Sequence, residues 1–177
     1  MSHKKHPTIA ACGIDCGLCP RYYTAGTSRC PGCGGEGFDE AHPSCGVLTC
    51  CAKKHSLEVC AECSEFPCAK YNNAAFSRDS FVTHQRMMPN HEMIMEIGLH
   101  PFLLLQAERI AFLETALAQH DNGRNKGFFC IAAALLPVED LKNALSLAAQ
   151  GDNLRDTLSR MADAEGVSLA LNKRGGK

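Results

Sequence analysis

From Pro101 onward the hydrophobic positions follow a helical period. Pro101 suits the first turn of a helix through "FLLLQAERIAFLETALAQ" (102–119), which "HDNG" then stops, with Gly123 free to turn left-handed. "NKGFFCIAAALL" (125–136) is small and aliphatic on nearly every side, the pattern of a buried helix, and Cys130 within it reads as a small hydrophobe. Pro137 opens "VEDLKNALSLAAQ", with Leu141 and Leu145 at helical spacing, up to Gly151. Asp152 is the expected cap for "NLRDTLSRMADAE", where Leu154, Leu158 and Met161 share a face before Gly166. "VSLAL" (167–171) alternates as an edge strand does, although an irregular tail fits it better. A helical bundle is the expectation for residues 71–177.

The first seventy residues lack that pattern. They hold twelve Val, Ile, Leu, Met, Phe or Tyr residues, against thirty-four in residues 71–177. So small an apolar complement cannot stabilise a domain without a staple of disulfides or metal. Gly and Pro in "CPGCGGEG" and "HPSCG" mark turns, so short elements are expected: a strand at Thr8–Ala11 and a helix at Leu48–Lys54. The predicted organisation is a cysteine-rich, zinc-binding domain over 1–70 and a helical domain over 71–177. The fold class is mainly α, with an irregular metal-binding region of zinc knuckles packed on the helical bundle.

Cysteine usage supports the staple. Eleven of the twelve cysteines lie between Cys12 and Cys68, spaced Cys12-x3-Cys16-x2-Cys19-x10-Cys30-x2-Cys33-x11-Cys45-x4-Cys50-Cys51-x8-Cys60-x2-Cys63-x4-Cys68. The first residues have no apolar stretch of signal-peptide length, and no run of about eighteen apolar residues could span a bilayer. A cytoplasmic location is therefore expected, where thiols stay reduced and metal binding explains them better than disulfides. Each C-x2-C pair is a knuckle that can bring two sulfurs onto one ion at about 2.3 Å. Cys16, Cys19, Cys30 and Cys33 supply one tetrahedral set, while Cys60, Cys63 and Cys68 need a fourth ligand from Cys45, Cys50 or Cys51. The expected cofactor is about two zinc ions, with Cys12, Cys16, Cys19, Cys30, Cys33, Cys45, Cys51, Cys60, Cys63 and Cys68 as candidate ligands. Interleaved ligation, in which Cys12 or Cys45 replaces one of the first four, competes with the sequential scheme. His6, His42 and His55 could also ligate but read as solvated loop residues.

Two other cysteine chemistries compete with zinc. Cys12-x3-Cys16-x2-Cys19 has the spacing of radical S-adenosylmethionine enzymes, but nothing after Cys19 alternates strand and helix as their barrel does. An iron-sulfur cluster is the main alternative cofactor, since "CGLCP" carries a ferredoxin-like Cys-Pro; ferredoxin runs, however, are compact, and here the pairs stand apart.

Four motifs in order, "CGIDCGLCPRY", "CPGCGG", "CGVLTCCAKKHSLEVCAEC" and "SEFPCAKY", resemble the cysteine-rich family of bacteria and archaea catalogued as domain of unknown function 3795. The likeness covers about residues 10–72. It implies a metal-binding domain without an assigned activity. Some members end in a further C-x2-C zinc ribbon where this chain has helices, so functions inferred for those members do not carry over.

No catalytic constellation stands out. "HEMIME" lacks the second histidine of the zinc-protease motif, and "GCGGEG" lacks a Lys-Ser/Thr ending. Ser44, Ser64 and Ser77 stand in no nucleophile elbow. His84, His91, His100 and His120 read as helix-surface or cap residues, and Met87, Met88, Met93 and Met95 as core filler rather than a partner surface. His3, Lys4, Lys5 and His6 read as a solvated arm, like Asn172, Lys173 and Arg174 at the other end. A formal net charge of −1 gives no pull toward nucleic acid or anionic lipid. Tyr22 and Tyr23 could stack on a base, but residues 1–68 hold six Lys or Arg against seven Asp or Glu. A binding or regulatory module without enzyme chemistry is therefore favoured over an enzyme with a catalytic metal. Its partner is unknown, with a protein the first expectation.

Overall fold

A computed structural model of the chain describes residues 3–42, 44–72, 76 and 78–173; Ser77 and Arg174 lie outside the described residues. The protein is mainly helical, and no strand occurs among the described residues. Thr8–Ala11, expected as a strand, is instead a turn. The Thr8 carbonyl accepts the Gly17 amide at 2.7 Å and the Ala10 carbonyl accepts that of Gly13 at 2.9 Å, so the backbone groups a strand partner would need are used locally. Residues 167–171 run as an irregular tail whose Val167 and Leu169 rest on the helical core.

Five longer helices occupy the second half: α3 (Met87–Ile97), α4 (Leu99–Gln119), α5 (Lys126–Leu135), α6 (Val138–Ala149) and α7 (Leu154–Ala164). The last four follow the sequence periodicity. Helix α3 carries no clear periodic signal in the sequence, because Pro89 lies near its start and Asn90, His91, Glu92 and Glu96 interrupt its four methionines and two isoleucines. Gly98, at φ +88°, ends α3 and caps α4, so the chain corners between them in one residue. The cap of α7 is Asn153 rather than Asp152: its side chain accepts the Asp156 amide at 3.2 Å.

Phe112, Leu113 and Ala116 of α4, Phe129 and Cys130 of α5, Leu141 of α6 and Leu158 of α7 form the largest apolar core. Cys130 is 2 % exposed there, as a small hydrophobe would be. Arg109 ties α4 to the end of α5 by donating to the carbonyls of Ala133 (2.6 Å) and Leu136 (2.7 Å), the last acceptors of that helix. Met87 is buried and Met95 is 54 % exposed, so the methionines divide between core and surface.

The first half is built of short pieces: 3-10 turns at Cys16–Leu18, Gly26–Ser28, Cys60–Glu62 and Ala69–Asn72, with α1 (Phe38–Ala41) and α2 (Gly46–Leu48). The helix expected at Leu48–Lys54 forms as α2 followed by a π-helical turn, Thr49–Lys54, which carries Cys50 and Cys51. Apolar packing crosses between the halves. Leu18 enters the large helical core, and Ile9 and Val59 pack with Ile94 of α3 and Phe102 of α4.

The first residues are not a solvated arm. Lys4 is 5 % exposed and its Nζ donates to the Ile9 carbonyl. The amides of Lys5 and His6 donate to the two carboxylate oxygens of Glu58 at 2.7 and 2.9 Å, and the His3 amide donates to Gly34 O at 2.7 Å. Charge in the segment suggested solvation, but Glu58 and the carbonyls of the cysteine loops supply partners that sequence spacing does not reveal.

Candidate metal centre

Two of the three cysteine knuckles share one local geometry. In "CGLC" and "CAEC" the first cysteine opens a 3-10 turn and its carbonyl accepts the amide of the second, Cys19 to Cys16 at 3.2 Å and Cys63 to Cys60 at 2.9 Å. The chain then turns again, with Tyr22 bonding back to Cys19 and Phe66 to Cys63. Longer-range bonds gather these loops: Cys33 N to Pro7 O at 3.0 Å, Cys30 N to Arg21 O at 2.9 Å and Cys60 N to Ala11 O at 2.9 Å.

This scaffold sorts eleven cysteines into two groups. Cys12, Cys16, Cys19, Cys30, Cys33 and Cys45 line a pocket of about 560 Å³, with Ile14, Phe38, Val47, Phe76, Phe81 and Val82 as apolar wall and Arg21 and Lys70 among its polar lining. Cys50, Cys51, Cys60, Cys63 and Cys68 line a second space of about 80 Å³, together with His55. All ten candidate ligands therefore line one space or the other, and Cys50, one of the three candidates for the fourth ligand of the later set, lines the second. Among the described residues no three Cys, His, Asp or Glu side chains are gathered tightly enough to hold an ion as they stand.

Burial and nearby donors act on these thiols in opposite directions. Burial, with the neighbouring Cys33, Cys45 and Cys60, pushes Cys12 up to about 12. Burial likewise raises Cys16, aided by Cys33 and Cys12, and raises Cys19 and Cys33. Fixed donors work against burial: the Ile14 amide on Cys12, the Cys33 amide on Cys16, the Arg21 and Tyr22 amides on Cys19, and the Lys4 ammonium and Ala11 amide on Cys33. Such a set of buried thiols with amide donors aimed at sulfur suits thiolates once a cation supplies the missing charge.

In the smaller group Cys60 is held down to about 7 by its hydrogen bond with Cys51, with a further bond from the Tyr71 hydroxyl and the charges of Lys4 and Lys70 assisting. The Tyr71 hydroxyl also lies 2.9 Å from His91 Nε2. His91, expected on a helix surface, is fully buried on α3, stacked near Phe66, and burial holds it down to about 4, so it is neutral at pH 7. His120 does cap α4, as expected, and His100 is exposed.

His42 is also drawn in. Its ring stacks on Phe38 with centroids 4.4 Å apart, and Nε2 lies 3.1 Å from Cys30 Sγ. Burial, then Arg21, lowers its affinity for a proton. His6 and His55 are exposed, although His55 borders the smaller space.

Asp15, between Cys12 and Cys16, was missed as a structural residue. It is 5 % exposed and accepts from Asn90 Nδ2 of α3 and Gln106 Nε2 of α4, both at 2.7 Å. Asn90 also donates to the Gly13 carbonyl at 2.9 Å. The first cysteine loop is thereby pinned to both helices. A carboxylate within a cysteine motif reads as a possible ligand or a loop cap; only the fold reveals its two amide partners.

No helix among the described residues is long and apolar enough to cross a membrane. No curated protein and no solved structure is significantly similar to the chain. Residues 8–73, which contain both thiol groups in full, match the family model described as protein of unknown function (DUF3795), the family its four motifs resemble.

Proposed function

We propose that the chain is a zinc-thiolate protein with two centres, a larger one among Cys12, Cys16, Cys19, Cys30, Cys33 and Cys45 and a smaller one among Cys51, Cys60, Cys63 and Cys68, with Cys50 adjoining the second. The supporting observation is the sorting of eleven thiols around two spaces, with backbone amides directed at the sulfurs. Zinc takes four ligands in a structural site and thiolates are its commonest choice there. Its charge deprotonates coordinating thiols that burial otherwise keeps neutral. The metal then supplies the stability that residues 1–70 lack in apolar surface, and those residues act as a domain joined to the helices through Asp15, Ile9, Val59 and Leu18.

A zinc ion closed by four thiolates offers no open position to a substrate. The role that follows is a binding or regulatory module whose cysteine-rich face is shaped by metal. Metal analysis of anaerobically purified protein, with circular dichroism before and after a chelator, tests it. Zinc retained through purification, and structure lost with it, is the expected result. Stoichiometric iron and sulfide would replace zinc with an iron-sulfur centre, and a fully folded protein without metal would remove the reading.

A further inference from the structure

The wall of the larger cysteine pocket is not built by the cysteine-rich region alone. Phe76, Ser80, Phe81 and Val82 line it from beyond the residues that match the family model. Val82 is 7 % exposed, whereas Phe81, at 56 %, stands at the rim. The Arg21 guanidinium lies over the Phe81 ring, 4.9 Å from its centroid. Arg21 follows Cys19 by two residues, and its carbonyl accepts the Cys30 amide at 2.9 Å. Phe81 therefore closes the side of the pocket that carries Cys19 and Cys30, each only 9 % exposed.

This wall is held by a strap from the far end of the chain. Val167 donates its amide to the Ala162 carbonyl at 2.8 Å, and Val167 and Leu169 rest on the helical core. The strap then reaches Asp79. The Asp79 amide donates to the Asn172 carbonyl at 2.9 Å, and the Asn172 amide donates to Asp79 Oδ2 at 2.7 Å, across 93 positions of chain. Asp79 Oδ1 folds the wall on itself, accepting the His84 amide at 2.6 Å and the Thr83 hydroxyl at 3.4 Å. One carboxylate thus joins strap to wall.

The strap is the weaker side of that joint. Thr83 is 2 % exposed, while Asn172 meets Asp79 in the open. Solvent-exposed hydrogen bonds with few buried contacts around them open locally at low free energy. We propose that residues 79–82 are a gate on the larger cysteine pocket, held in place by the 167–172 strap, and that release of the strap admits solutes to Cys19 and Cys30. The helical half thereby governs exchange between the pocket and solution. The proposal rests on the zinc reading above for what is exchanged, but not for how the gate is built.

The test is the rate at which N-ethylmaleimide alkylates each cysteine of the full chain as purified, read by mass spectrometry. Asn172→Pro removes the strap's donor and leaves the bonds of the wall to itself intact; Phe81→Ala removes the contact with Arg21 and leaves the strap. Each should speed alkylation of Cys19 and Cys30 by about fivefold, the effect of one net hydrogen bond or ring contact on a local opening. Cys60, Cys63, Cys68 and Cys130 should keep their rates. Unchanged rates at Cys19 and Cys30 would overturn the gate, as would equal acceleration of every cysteine, which marks a loosened fold. Metal content of the same samples judges the zinc reading separately: a chain without zinc removes that reading, and the alkylation pattern still decides the gate.

Discussion

The side-chain amide of Gln106 donates to Asp15 Oδ1 at 2.7 Å, joining the first cysteine loop to the long helix α4 across 91 positions of chain. Asn90 holds the other carboxylate oxygen, so two buried amides depend on one buried acid. Removing the acid strands both. Asp15→Ala is expected to cost about 3 kcal/mol, the scale of leaving buried donors unpaired. A double-mutant cycle with Gln106→Ala in urea should show a coupling of about 1 kcal/mol or more. Additive effects would mean that the contact does not hold the loop to the helix.

Gly13 is the other constraint on that loop. Its φ is +86°, and a Cβ there would overlap the Met87 carbonyl oxygen and crowd His91 Nε2. Gly13→Ala therefore combines backbone strain with a clash that α3 must yield to. A loss of about 2–3 kcal/mol is expected, with weaker metal retention because Cys12 is displaced with the loop. Unchanged stability and metal content would show that the loop can adopt another path.

The two kinds of cysteine should separate cleanly. Cys130→Ala, in the helical core, should leave metal content unchanged and cost about 1 kcal/mol of stability. Cys60→Ser or Cys63→Ser should lower metal content by one ion. Loss of metal from the Cys130 variant would show that the helical half supplies a ligand.

The sequence showed the later helices clearly because their apolar residues recur on one face and Pro137, Gly151 and Gly166 punctuate them. The turns at Cys16–Cys19 and Cys60–Cys63 were legible too, since C-x2-C spacing reflects local geometry alone. What it could not show depends on distant partners. Lys4 looked solvated until the Ile9 carbonyl and the thiols enclosed it, and His91 looked superficial until Tyr71 and Phe66 closed over α3. Cys45 lines the same pocket as Cys12 and Cys33 because α2 lies against the first loop, as Val47 and Leu48 pack with Ala10 and Ala11.

Metal removal should reveal where stability originates. Structural zinc can contribute roughly 10–16 kcal/mol to a small cysteine-rich fold, whereas α4 to α7 share a continuous apolar core. With chelator, the amides of residues 30–60 should exchange first, while Phe112, Leu113 and Phe129 stay protected. Ile94 and Phe102 should loosen next, since Ile9 and Val59 cover them. Loss of protection in both halves at once would mean one metal-dependent core instead of two domains.

The most direct test of the central claim is the metal and absorption analysis of protein purified without oxygen or added metal. Zinc bound to the chain, a colourless solution, and protons released as zinc returns to the stripped protein are the predicted results. Iron with stoichiometric sulfide and broad visible absorption, or a folded chain that holds no metal, would contradict it.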